Sequence, residues 1–258
     1  MRDVCSHIQM PKCVLKNFQN EKQTIFYYDF LSPEIKRGRA KTLNTEFGYY
    51  SEATEHYLRD NIETPFGRIM NLINEITINR QFRVDPNTQS ITFRFLHALL
   101  CRGHEMMVSI NKNSIFYQFL SPQEQHDYAV IFGLALADRE RFYDDYFITF
   151  SINDSYVPFV LPMQGLYSYT FSPSKYTCLN FPITPKHAIT LVHKRHAASF
   201  IENRMIKMIS VTDPRIAHML NVRAFMAEKR FNKSYVISNQ QKELELLVNQ
   251  WIYEEAIK

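Results

Sequence analysis

The sequence predicts an α+β fold: one domain over residues 1–258, with helices flanking a small, mostly antiparallel sheet. Three observations predict it. Apolar residues recur at threes and fours in the first half of the chain and again in its last third. Between them lie short aromatic and β-branched runs separated by prolines. No repeat, low-complexity tract or linker divides the chain, and 258 residues suffice to bury a core.

In chain order, Thr24 to Tyr28 is β-branched and aromatic and suits a strand. The basic run Lys36 to Lys41 reads as a solvated loop. From about Ser51 to Asn79, Tyr57, Ile62, Phe66, Ile69, Met70, Ile73 and Ile76 follow a helical period. Pro65 should kink or split that helix near Glu63, because its ring displaces the preceding turn. After the turn signal Asp85-Pro86-Asn87, a second helix is expected from Thr88 to about Met107. Ser121-Pro122-Gln123-Glu124 is a helix start with serine as cap, proline at the first position and glutamate closing a capping box; that helix should reach about Arg141. Strands are expected within Tyr146 to Leu161, Tyr167 to Phe171 and Ala188 to Val192. Asp213-Pro214 opens a helix to about Phe231, and Ser238 to about Ala256 another, with Leu244, Leu247, Trp251 and Ile252 on one face.

Composition removes several functional classes. Only 6 glycines occur, without a Gly-rich phosphate loop, dinucleotide fingerprint or Gly-x-Ser-x-Gly elbow. The 30 basic and 26 acidic residues leave a formal charge of +4, well short of a nucleic-acid footprint, so nucleic acid is the minority expectation among partners. Four cysteines without a Cys-x-x-Cys pair exclude a zinc ribbon and suit reduced, buried thiols. The N-terminus lacks an apolar signal core. The longest apolar run, Tyr128 to Ala137, is roughly half of what a bilayer requires, so no membrane span and a cytoplasmic location are expected.

Several ordered motifs carry a resemblance. His7, Pro11, Leu15 and Phe18 occur in His-Ile-Gln-Met-Pro-Lys-Cys-Val-Leu-Lys-Asn-Phe. This resembles the opening signature of an uncharacterised, mainly bacterial family known only as a domain of unknown function; His7 stands one residue further from the proline than in its commonest form. Tyr50 to Ile69 is similar to that family's two-glutamate helix, here with Glu55 and Glu63, and Phe95 to Arg102 to its next helix, which ends on an arginine. Phe150 to Val157 resembles a Phe-Ile-Thr-Ser-Asp-Asn-Pro-Val motif, keeping Asp154 but carrying Asn153 and Tyr156 for Ser and Pro. Phe181-Pro182-Ile183-Thr184-Pro185 is close to the family's Phe-Pro-Leu-Ser-Pro block. The resemblance spans most of the chain and implies no established reaction. A toxin or anti-phage defence effector is the biological role suggested by analogy.

The polar positions inside these blocks are His7, Glu55, Glu63, Arg102 and Asp154. As a set they suit hydrolysis of a phosphodiester or related bond. His7 would be the base and Arg102 the anion clamp, with Glu55, Glu63 and Asp154 as ligands for Mg²⁺ or Mn²⁺. On an unbroken helix the two glutamates would lie about 80° apart. Each residue also has a structural reading: Glu55 and Glu63 could pair with Arg59 or Arg68, Arg102 could tie helix to loop, and Asp154 could make an Asx turn. A Cys13–His7 nucleophile pair is conceivable, without visible activation.

The rival expectation is a non-catalytic module that binds a protein partner or its own copy. It would use an aromatic face, drawn from 20 Phe and 15 Tyr, and the C-terminal helix with Trp251 and Tyr253.

Overall fold

The computed structural model describes residues 5–76, 81–83, 85–103, 108–109, 115–140, 142–171, 176–202, 205–231 and 234–257. The first strand, β1 (Cys5–His7), leads through Pro11 into a single helical turn, α1 (Lys12–Leu15). Leu15 and Phe18, the apolar pair of the N-terminal motif, are fully buried, so that motif anchors the chain's start to the core. Strands β2 (Ile25–Asp29), β3 (Glu34–Gly38) and β4 (Thr45–Phe47) follow. The basic run is therefore not wholly a loop: Lys36 and Arg37 lie in β3, where Lys36 pairs with Asp29 at 2.9 Å across the β2–β3 ladder.

The long helix of the first half is split at the expected place. Helix α2 (Glu52–Leu58), capped by the Ser51 hydroxyl, runs into a π turn at Arg59–Glu63 and continues as α3 (Thr64–Ile76). Pro65 has no N–H to donate to the carbonyl four residues back, and the Thr64 N–H reaches Arg59 O, five back. After the short β5 (Gln81–Phe82), α4 (Pro86–Arg102) starts on an Asp85 cap with proline at the first position. It stops at Arg102, because Gly103 leaves the helical region. The expected extension to Met107 falls outside the described residues. Helix α5 (Pro122–Glu140) carries the capping box, with Ser121 Oγ and N both donating to Glu124 Oε2.

Strands β6 (Tyr146–Asn153), β7 (Leu161–Pro162), β8 (Tyr167–Phe171), β9 (Tyr176–Pro182), β10 (His187–His193), β11 (Ile201–Glu202), β12 (Met205–Lys207) and β13 (Ile209–Val211) make up the middle of the chain. Helix α6 (Pro214–Glu228), β14 (Tyr235–Ser238) and α7 (Gln241–Ile257) end it. The fold is α+β with mostly antiparallel pairing. Among the described residues its strands divide over four sheets: β13-β6-β10-β9-β8, β3-β2-β14-β7, β11-β12-β5 and β1-β4. Strand β6 is buried along nearly its whole length, as its run of apolar residues demands. A buried polar chain crosses the largest sheet: Asn180 donates to Tyr167 Oη at 2.7 Å, Thr190 donates to Asn180 Oδ1 at 2.9 Å, and Ser151 meets Thr190 at 2.8 Å. One cluster of buried side chains extends from Met10 to Leu247 and joins these layers. No helix among the described residues is long and apolar enough to cross a membrane.

Glu228, at the end of α6, is fully buried; its Oε2 accepts from the Gln164 N–H at 2.9 Å, while Oε1 has no partner. Burial pushes its carboxyl up from the ordinary 4.5 to about 8 against the pull of the Gln164 N–H. The native state therefore holds a proton that the unfolded chain releases between these values. The stabilising contribution is full below about pH 4.5 and lost as pH rises through about 8. Glu228→Gln is expected to flatten the fall of Tm over this window. An unchanged slope would count against a protonated Glu228.

Candidate functional site

Four of the five residues singled out in the sequence meet where β1, the α2–π–α3 helix and the end of α4 come together. Glu63 ends the π turn, and Arg102 ends α4. The Arg102 Nη2 donates to Glu63 Oε1 at 2.7 Å. Arg102 is 2% exposed and Glu63 23%, so this ion pair is largely withdrawn from water. The Arg102 guanidinium carbon lies 5.9 Å from the centre of the Tyr50 ring, and its Nε has no hydrogen-bond partner. Burial works against the guanidinium charge, but Glu63, Tyr50 and Glu55 together outweigh it and hold the proton more firmly than usual.

His7 is brought in by the β1–β4 pairing, where it faces Thr45. Its Nε2 contacts the Ala40 carbonyl at 2.9 Å; because a carbonyl only accepts, Nε2 carries the hydrogen and the lone pair sits on Nδ1. Burial lowers the His7 pKa below 6.5, against the raising effects of the Ala40 carbonyl, Glu63 and Glu55 and with a further lowering by Arg102. His7 is thus neutral at pH 7, with a basic nitrogen. Glu55, half-buried on α2, is close enough to influence both His7 and Arg102.

The helix break sets this arrangement. A π turn takes up about one extra residue, so Glu55 and Glu63 stand nearly in line along the helix and not about 80° apart. Phe66 and Phe95 stack with centroids 3.6 Å apart and planes 8° apart, locking α3 to α4 and so Glu63 to Arg102. The start of α5 clasps the Tyr50 segment: Gln123 donates to the Gly48 and Tyr50 carbonyls, Asp127 accepts from the Ser51 N–H, and His126 stacks on Tyr49 at 3.7 Å.

Asp154 does not join the other four. It is exposed, in the turn after β6, where Ser210 Oγ donates to Asp154 Oδ2 at 2.9 Å and its N–H reaches Val211 O. The Asx turn expected there belongs to its neighbour: Asn153 Oδ1 accepts from the Ser155 N–H and hydroxyl. Among the described residues no group of three His, Cys, Asp or Glu is placed to hold a metal ion. Glu55, Glu63 and Asp154 are therefore not assembled, among the described residues, as one ligand set: Asp154 sits in the turn at the end of β6, and Glu63 is engaged by Arg102.

Two further residues border the cluster: Tyr50, which was not foreseen as part of it, and Cys13, which was weighed as a partner of His7. Tyr50 packs under Arg102, and nothing in a Tyr-Tyr pair announces that. Cys13 feels both Glu63 and Arg102, but burial pushes its thiol up to about 12, so it stays protonated and is no nucleophile beside His7. Trp251 turns inward against Tyr28, Phe30 and Phe225, with Lys229 over its ring at 4.6 Å, whereas Tyr253 is exposed.

None of the three comparisons, with protein-family models, with curated proteins and with solved structures, finds a match to this chain.

Proposed function

We propose that the chain is a hydrolase of phosphodiester or related bonds, with its site at the His7–Glu55–Glu63–Arg102 cluster. The observation that carries this reading is His7 itself: a neutral imidazole whose Nε2 is committed to a carbonyl, next to a buried arginine and two carboxylates. In this reading His7 Nδ1 takes the proton of an attacking water, and Arg102, steadied by Glu63, supplies positive charge where the oxyanion develops. Two carboxylates against one guanidinium leave one negative charge in excess. A divalent cation such as Mg²⁺ or Mn²⁺, held by Glu55 with water and substrate oxygens completing its shell, would offset that charge.

His7→Ala is expected to lower hydrolysis of bis(p-nitrophenyl) phosphate, assayed with Mg²⁺ or Mn²⁺, by about 10²–10⁴-fold with the circular dichroism unchanged. Because burial lowers the His7 pKa, the acid limb of the pH–rate profile should fall below pH 6.5. Equal rates in the wild type and His7→Ala, or no turnover with either cation, would overturn the reading. A toxin or defence role would follow from such a nuclease, tested by growth arrest on expression that His7→Ala relieves.

Exposed apolar side chains support the second reading, a binding module. Phe47, Phe116 and Phe119 are each at least 70% exposed, and α7 exposes Leu246, Ile252 and Tyr253. Self-association measured by sedimentation, lost in Phe116→Ser/Phe119→Ser, would favour it over catalysis.

A further inference from the structure

A cavity of about 800 Å³, with none of the His7-cluster residues in its lining, lies between α6, α7 and the turn that follows Asp154. That volume is in the range of small-molecule sites. Tyr156, Pro158 and Leu246 give it apolar walls, and Tyr156 is 82% exposed there. Its floor is polar and built. Glu243 is nearly buried; its Oε1 accepts from Asn221 Nδ2 at 2.7 Å and lies 3.3 Å from His218 Nδ1. Asn221 is itself fixed, donating to Pro158 O and accepting from the Val160 N–H. Both contacts to Glu243 fall on Oε1, so among the described residues Oε2 has no hydrogen-bond partner.

His218 lies against the same carboxylate on the floor. Gln250 donates its amide hydrogens to Glu254 and turns its oxygen to His218 Nε2 at 2.9 Å. Both ring nitrogens thus face oxygens of neighbouring side chains. At the rim, Arg215 is tied to Asp213 by three contacts of 2.7 to 3.1 Å, whereas Lys242 makes no ion pair among the described residues. Among the described residues the cavity therefore combines a flat aromatic wall, an acceptor oxygen without a donor at its floor and a cation without an ion pair at its mouth.

We infer that this cavity binds a nucleoside monophosphate whose base carries an amino group. The base lies against Tyr156, its amino group donates to Glu243 Oε2, and the phosphate meets Lys242. Stacking on an aromatic side chain is available to every base, so selection among bases rests on the carboxylate, which accepts from an amino group but repels a carbonyl oxygen. This site shares no residue with the His7 cluster, and the inference does not rest on the hydrolase reading.

CMP and UMP separate the terms, because cytosine carries an amino group beside an unprotonated N3 where uracil carries a carbonyl beside an N3–H. In calorimetric titrations of the full chain, CMP is expected to bind at least about tenfold more tightly than UMP, cytidine or inorganic phosphate. Lys242→Ala and Tyr156→Ala, both surface changes, should each weaken CMP about fivefold or more, and His7→Ala should leave it unchanged. Glu243→Gln should erase the preference for CMP over UMP. No CMP binding up to about 1 mM, equal binding of CMP and UMP, or CMP binding indifferent to both Lys242→Ala and Tyr156→Ala would overturn the inference.

Discussion

Replacing Glu63 by alanine is expected to cost about 3–5 kcal/mol of folding stability, although the residue lies on a helix and is partly exposed. The cause is its partner. Arg102 is fully buried, makes one hydrogen-bonded ion pair among the described residues, with Glu63 at 2.7 Å, and already leaves Nε unsatisfied. Without Glu63 the nearly buried guanidinium keeps its charge but loses the carboxylate hydrogen-bonded to it, so most of the loss is an under-compensated buried ion. The double variant Glu63→Gln/Arg102→Met removes both charges and should recover most of the stability. Urea denaturation measures each term. A loss below about 1 kcal/mol for Glu63→Ala would mean that Arg102 finds other solvation and that the pair behaves as a surface salt bridge.

Phe95→Ala is expected to cost about as much, roughly 3–5 kcal/mol, by a different route. Phe95 is fully buried, stacks on Phe66 and lies 6.1 Å from the Phe181 ring. Its removal forfeits apolar burial and leaves a cavity that three elements line together, α3, α4 and β9. The same stack sets the spacing of Glu63 and Arg102, so Phe95→Ala and Glu63→Ala should not add. A double-mutant cycle read by denaturation should show coupling above about 0.5 kcal/mol. Strict additivity would show that the ion pair forms without the stack.

Both effects lie where the sequence was only partly legible. The split helix could be read because Pro65 acts within a turn of itself: it cannot donate, and the backbone around Glu63 must give way. The form of the break could not be read, since a kink and a π turn answer the same missing hydrogen bond. That choice decides whether Glu55 and Glu63 diverge or line up. His7, Glu55, Glu63 and Arg102 could be picked out as residues able to do chemistry. Their meeting could not, and Asp154, chosen by the same reasoning, ended up elsewhere.

Signals that act over three or four residues were decided by the sequence itself. The Asp85-Pro86 start, the Ser121–Glu124 box and the strand character of the buried β6 residues depend on local hydrogen bonds and side-chain shape. Tertiary structure decided everything that needed distant segments to meet. Arg102 finds Glu63 39 residues away, and β14 pairs with β2 across most of the chain. The same holds for the protonation of Glu228 and Cys13 and for the tautomer of His7, which reflect burial and a carbonyl 33 residues away. Such contacts form only when packing repays the entropy of closing long loops, and that balance belongs to the whole core and to no single stretch of residues.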